Sequence, residues 1–347
     1  MYYKLFFILL SAVMVSCKSD ALQESLVTID VNVNNVKILR LQNCDKTTLL
    51  QNGENALIGH VSKMIAIDNY YIIATNKRLS IFDKDGQFVT HIGNQGRAQN
   101  EYIGITDFWI ENNSVFIYDM NGGKRILQYS LNDSLMKSTS VPSSISKDFI
   151  PFNFLIPFHD VYIGKCVWDG TVKTSPALAC YDKQFNMIKH FVEPTLNCGL
   201  YIGYPLFKTT DEILYWNALR NTVYSVSEQL QISSKYRISF GNNNFPQREY
   251  AKDDYELLNA YMNDESQQKI YASIISYIWQ TSQELIFTYS YQNKSHFVVF
   301  NLDTKQTECW QMDCSDIHLR YWCYDGKSLY VLADTESDSG LYKVWPI

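Results

Sequence analysis

The chain is short of the features that mark most protein classes. With 15 Gly and 8 Pro it has too few of either for a fibrous or low-complexity protein. Its 30 Lys and Arg are outnumbered by 36 Asp and Glu, a net charge of -6, and no basic stripe points to nucleic acid. No nucleophile elbow, His-Glu-x-x-His pattern or phosphate-binding loop occurs, which removes the simplest routes to a serine hydrolase, a zinc protease or an NTPase. Cysteine is sparse as well. Cys17 aside, the eight cysteines leave seven, so any disulfide set leaves a thiol over, and their scatter is unlike a framework.

Aromatic residues are plentiful. The 25 Tyr, 18 Phe and 7 Trp favour half-buried pleated strands. A length of 347 residues allows one large all-β domain or two smaller ones. The start, MYYKLFFILLSAVMVSCKSD, joins Lys4, an apolar run over 5–15 and a small Ser16 ahead of Cys17, as a targeting segment does. The run is too short to span a bilayer. The segment resembles a bacterial lipoprotein signal, which implies cleavage after residue 16, lipidation of Cys17 and an anchor linker over 17–24. An ordinary cleaved signal with an incidental cysteine is the alternative.

Residues 91–131, HIGNQGRAQNEYIGITDFWIENNSVFIYDMNGGKRILQYSL, set the pattern for the rest. Gly93 and Gly96 suit turns with positive φ. Three strand-like runs follow (ITDFWI, SVFIYD and ILQYSL), parted by the tight turn Glu111-Asn112-Asn113 and by MNGGKR. That is most of one propeller blade. The preceding runs KMIAID, YYIIAT, RLSIFD and FVTHIG make the same plan, with an Asp85-Gly86 hairpin turn. Ile67 and Ile110 correspond at an offset of 110 − 67 = 43, a blade period. ACYDKQFNMIKHF over 179–191 echoes SIFDKDGQFVTHI over 80–92, down to the Asp-Lys turn.

The units fall near 58–95, 103–142, 150–193, 204–240, 270–312 and 316–347, a count of six. The last holds three runs, and the alternating LVTIDVNVNNVKIL segment near 27–41 is expected to complete it, removing free sheet edges. The expected fold is all-β: a six-bladed β-propeller over 25–347, closed by an N-terminal strand and carrying a short helical insertion at about 246–270. Helix-forming composition and spaced Tyr250, Tyr255 and Leu258 after Pro246 suggest that insertion. We read it as a cover over one face, with a lid or partner surface as the functional alternative.

The start through Cys17, the loop Gly93-Asn94-Gln95-Gly96-Arg97 with Glu101-Tyr102 and Ile105, and the 110–118 strand pair carry a family resemblance. Together they resemble the six-bladed β-propeller lipoproteins of Bacteroidota, of NHL- and TolB-like architecture. In that family the loop commonly reads Gly-x-x-Gly-x-Gly-Pro-Gly-Glu-Tyr or Phe. Here Ala98, Gln99 and Asn100 replace the Gly-Pro-Gly portion. The resemblance implies a propeller in the cell envelope and no particular chemistry.

Candidate site residues follow from the propeller plan. Loops entering inner strands gather at the channel mouth, so Arg97, Asn100, Glu101, Tyr102 and Asp107 are candidate ligand-binding residues. For Arg97 and Glu101 the alternative role is to satisfy buried backbone groups and lock neighbouring blades. Calcium-dependent lactonase-type propellers converge oxygens on the channel, and Glu101, Asp107 and Asp211 are the candidates for that. No metal or other cofactor is assigned. Cys166 and Cys180 flank WDGTVKTSP symmetrically about Lys173, so a hairpin would carry either a disulfide or two buried thiols. Cys309, Cys314, His318 and Cys323 superficially resemble a zinc knuckle, but Trp310, Ile317 and Tyr321 give the segment strand periodicity and suggest blade packing.

The functional expectation is an outer-membrane lipoprotein facing periplasm or cell exterior. It would act as a monomeric, non-catalytic binding or scaffold module for a glycan, peptide or partner protein. The rival is a calcium-dependent hydrolase or lactonase on the same fold.

Overall fold

The structure is a computed structural model that describes residues 26–49, 59–67, 69–131, 135–141, 150–167, 176–191, 203–216, 221–246, 264–272, 275–315, 317–334 and 339–346. Six antiparallel blades stand around one axis in chain order, with a two-stranded ribbon (Asn94–Gln95 with Glu101–Tyr102) between the first and second. The innermost strands are Val61–Ile67, Asp107–Glu111, Phe152–Phe158, Leu206–Lys208, Ile278–Gln280 and His318–Tyr324. We number the blades one to six in that order. Cys17 and the proposed signal and linker lie outside the described residues, as does most of the expected insertion. Within it the described helix is Glu265–Ile270.

The core is not one mass but six apolar clusters, one in each gap between neighbouring blades. Strand alternation produces this directly, because successive side chains leave opposite faces and each face meets a different neighbour. In the fully buried strand Leu178–Tyr181, Leu178 and Cys180 enter the gap to blade four, while Ala179 and Tyr181 enter the gap to blade two. Near-continuous apolar strands are therefore required here, as in any sheet covered on both sides.

That geometry corrects the proposed Cys166–Cys180 bridge. Cys180 pairs with Ile163, three residues from Cys166, so the two thiols leave opposite faces of the sheet. Both are free and buried, Cys166 among the blade-two contacts and Cys180 among those of blade four. The zinc-like set is likewise dispersed. Cys309, Cys314 and Cys323 pack in three different gaps, which is the blade-packing reading of those residues.

The closure of the ring also differs from expectation in one respect. The strand that completes blade six is Lys46–Thr48, antiparallel to Ser339–Trp345, rather than the alternating segment ahead of it. That earlier segment forms a belt. Val27–Asp30 adds a parallel fifth strand to blade four, and Lys37–Arg40 adds one to blade five. The alternation was a true burial signal: Ile29, Val31 and Val33 fill the gap between blades four and five, Leu39 and Leu41 the next gap, and Leu49 the last. Burial periodicity fixes which residues face inward and leaves open which edge they cover.

The turns follow the chemistry of their residues. Asn112 and Asn113 both take positive φ, 50° and 58°, in the two-residue hairpin between Glu111 and Ser114. The two Asp-Lys turns are also alike. Asp83 Oδ1 accepts the amides of Asp85 and Gln87, and Asp182 Oδ1 those of Gln184 and Asn186. Their lysines serve as latches to the preceding blade. Lys84 reaches Asp325 at 3.8 Å across the Tyr71 ring, and Lys183 reaches Glu111 at 3.0 Å across the Tyr162 ring. Between blades three and four the contact is His159 Nε2 with Glu228 at 3.0 Å.

Candidate functional site

The loop over 93–102 bonds several of its own groups to one another and to blade two. Glu101 Oε2 accepts the Ala98 amide at 2.8 Å, and Arg125 donates to the carbonyls of Gln99 and Glu101. Tyr102 is fully buried and donates to the Ile92 carbonyl at 3.2 Å, while Tyr129 donates to the Asn100 carbonyl at 2.9 Å. Gly93 does take positive φ, 63°, but Gly96 does not. At Gly96 a Cβ would overlap the Glu101 carboxylate and push that side chain aside. Of the candidate ligand contacts, the Glu101 carboxylate serves its own loop, Tyr102 packs between blades one and two, Asn100 offers its carbonyl to Tyr129, and Arg97 is exposed.

Asp107 belongs to a different cluster, on the propeller axis. Its side chain is wholly buried and pairs with Lys63 from blade one at 2.7 Å. Asp107 Oδ1 also accepts the Phe108 amide at 2.8 Å, and Oδ2 accepts the Leu155 amide of blade three at 2.8 Å. Lys63 donates a second bond to the Phe108 carbonyl at 2.6 Å and lies 3.7 Å from the centroid of the Tyr204 ring. The Tyr204 hydroxyl donates to the Leu155 carbonyl at 2.9 Å, with Asp107 Oδ2 at 3.4 Å. Gly203, at φ 74°, makes this approach from blade four possible, because a Cβ there would overlap the Ser276 carbonyl ahead of blade five's inner strand. One ion pair thus fastens four blades.

Burial pushes the Asp107 carboxyl up and the Lys63 ammonium down, and each restrains the other's shift. The same burial holds the Tyr204 hydroxyl well above its ordinary range. Blades five and six close the ring with Tyr277 and Tyr321, whose hydroxyls bond one another, and the Met64 amide donates to Tyr321. Perturbed groups in a cleft would suggest chemistry. Here each is held by named neighbours.

The three carboxylates considered for calcium stand apart. Glu101 serves its own loop, Asp107 serves Lys63, and Asp211 sits exposed in the hairpin turn after Leu206–Lys208. Among the described residues no group of three His, Cys, Asp or Glu side chains is placed to hold a metal ion.

An opening formed by described residues lies elsewhere, on the face of blade four that looks toward blade five. There the apolar cluster of Leu214, Val223 and Tyr236 gives way to Glu212, Ser225, Ser233 and Lys235. Glu212 bonds both Ser225 and Lys235 at the floor. Gln280, Thr281 and Ser282 of blade five form the opposite wall, and Leu26 marks the outer end. Lys305, in the blade-five turn that corresponds to the latching turns, instead donates to the Leu302 carbonyl of its own turn. Lys63, Tyr204 and this groove were not singled out from the sequence. The run Gln231-Ile232-Ser233-Ser234-Lys235 keeps strand spacing, and its polarity is shared by other outer strands such as Leu135–Ser140, so it did not mark the groove.

Residues 26–331 match the family model described as Domain of unknown function (DUF4934). The chain belongs to that family. The match runs from the residue before the belt into blade six, so the belt is included with the blades. Two solved structures share the fold of this DUF4934 chain. One is a protein from Bacteroides fragilis described as exported, 17% identical at a TM-score of 0.69, with 92% of this chain and 99% of that one covered. The other is a member of the DUF4221 family from Bacteroides vulgatus, 9% identical at a TM-score of 0.60, covering 86% and 95%. No curated protein matches the chain significantly.

Proposed function

We propose that this chain is an exported cell-envelope propeller, lipid-anchored through Cys17 at the outer membrane, that acts as a monomeric, non-catalytic binding or scaffold module. The observation that carries the reading is the contrast between axis and groove. On the axis Lys63, Asp107 and Tyr204 are bonded to one another across blades one to four, and Tyr277 pairs with Tyr321 between blades five and six. In the groove hydroxyl, amide and charged side chains line an opening between two rigid sheets. Rigid walls that present convergent polar groups are what a recognition site needs. The sequence around Cys17 and the likeness to an exported protein support the envelope location. Among the described residues no helix is long and apolar enough to cross a membrane.

The test uses the mature protein and its thermal melt. Addition of envelope polysaccharide or peptide fractions should raise the melting temperature, with no turnover of ester or lactone substrates. A calcium-dependent rise in melting temperature accompanied by turnover that EDTA abolishes would overturn the reading in favour of the hydrolase. Separately, Cys17→Ala should release the protein from membranes, and continued membrane association would refute the anchor.

A further inference from the structure

We infer that the groove between blades four and five is a subsite for a neutral, hydroxyl-rich oligosaccharide. The inference rests on the binding reading above and assigns that reading a place and a ligand class.

The first argument is charge. The groove holds two cations, Lys208 and Lys235, and two anions, Asp211 and Glu212, so their formal charges cancel. Lys235 and Glu212 neutralise one another directly at the floor. A phosphate, a uronic acid or a basic peptide gains no net electrostatic attraction from such a wall. The chain's overall net charge of -6 adds none for an anion either.

The second argument is the kind of polar group. The hydroxyls of Thr209, Ser225 and Thr281 are bonded to Glu212, Glu284 and their own turns, while Ser233, Ser282 and the Gln280 amide nitrogen carry hydroxyl and amide groups toward the opening. A hydroxyl both donates and accepts. A sugar hydroxyl has the same dual character, so such a wall can match several hydroxyls in sequence. Glu212 supplies an ionised acceptor and Lys235 an ionised donor, which make the stronger kind of bond.

The third argument is rigidity. Blade four's wall is an antiparallel sheet, with Ser225 directly opposite Ser233 and Glu212 opposite Ser227. The Tyr236 hydroxyl donates to Gln280 at 2.9 Å, which ties the floor to the opposite wall. Donors and acceptors fixed before binding lower the ordering cost of the complex.

The experiment titrates the full mature chain with a panel of neutral linear hexasaccharides of glucose, mannose and xylose. An oligogalacturonate of equal length and a mixed-sequence hexapeptide serve as comparators, followed by calorimetry. At least one neutral hexasaccharide should bind, and Ser233→Arg and Thr281→Arg, which fill the groove from exposed or half-exposed positions, should each weaken it tenfold or more. Both variants should melt with the parent; a variant that melts early is replaced by Ser282→Arg on the same wall. Binding unchanged in the filled variants overturns the groove as the site. Preference for the oligogalacturonate overturns the neutral class. Binding of the hexapeptide alone overturns the inference while leaving the binding module intact, and hydrolysis of any probe overturns both.

Discussion

The sharpest test of the axis is Lys63→Met, which keeps the length of the side chain and removes its charge. Asp107 would then lie fully buried with no cation, its remaining partners being the Leu155 and Phe108 amides and the edge of Tyr204. Stranding one member of a buried pair costs about 3–5 kcal/mol. Chemical denaturation of the mature protein, followed by tyrosine and tryptophan fluorescence, measures the loss. Burial already pushes the Asp107 carboxyl upward, so without Lys63 the group should take up a proton in the fold. A carboxyl whose folded pKa is raised contributes stability that is present below its unfolded pKa and lost as pH rises through the folded one. The deficit of Lys63→Met should therefore be smaller near pH 5 than near pH 8. The double variant Lys63→Met, Asp107→Leu should not recover the parent, because two inward amides lose their acceptor at about 1–3 kcal/mol each. A loss below about 1 kcal/mol for Lys63→Met at pH 8, the worth of an exposed pair, would refute the view that this contact fastens four blades.

Four further outcomes are expected. His296 is buried on the Tyr289 ring and burial holds it down to about 4, so the fold keeps it neutral. The unfolded chain protonates it first, and stability should fall as pH drops from about 6.5 toward about 4, by up to about 3 kcal/mol; His296→Phe should flatten that pH dependence, and parallel curves would count against it. Gly203→Ala combines a φ of 74° with overlap on the Ser276 carbonyl and should destabilise by about 2 kcal/mol or more in the same denaturation assay. Lys183→Met removes a latch whose lysine is one-third exposed, so the expected loss is about 1 kcal/mol, and a larger loss would mean the blades depend on it more than its geometry allows. Thiol labelling of the unfolded protein should modify Cys166 and Cys180 equally with and without reductant; protection that only reductant lifts would establish the bridge after all.

Local pattern was legible where it had a short-range cause. The Asn112-Asn113 hairpin, the paired Asp-Lys turns and the alternating belt residues could be read directly, because turn chemistry and face alternation act over a few residues. Asp107 was picked out as an inward carboxylate on an inner strand. Its role was not legible, since Lys63, Leu155 and Tyr204 come from three other blades and no spacing relates them. Glu101 stood in the sequence both as a candidate ligand contact and as a group satisfying its own backbone, because its acidity is visible there and the Ala98 amide it accepts from is not.

By itself, then, the sequence determined an all-β chain of six repeating units closed from its N-terminal side, because blade period and burial alternation are properties of neighbouring residues. The tertiary structure alone decided that Lys46–Thr48 closes the ring while the residues before it cover blades four and five. It also decided that the axis is bonded to itself and that the gap beside Glu212 and Lys235 stands open. Those outcomes depend on which sheets meet face to face, and contacts between residues far apart in the chain leave no periodic trace within it.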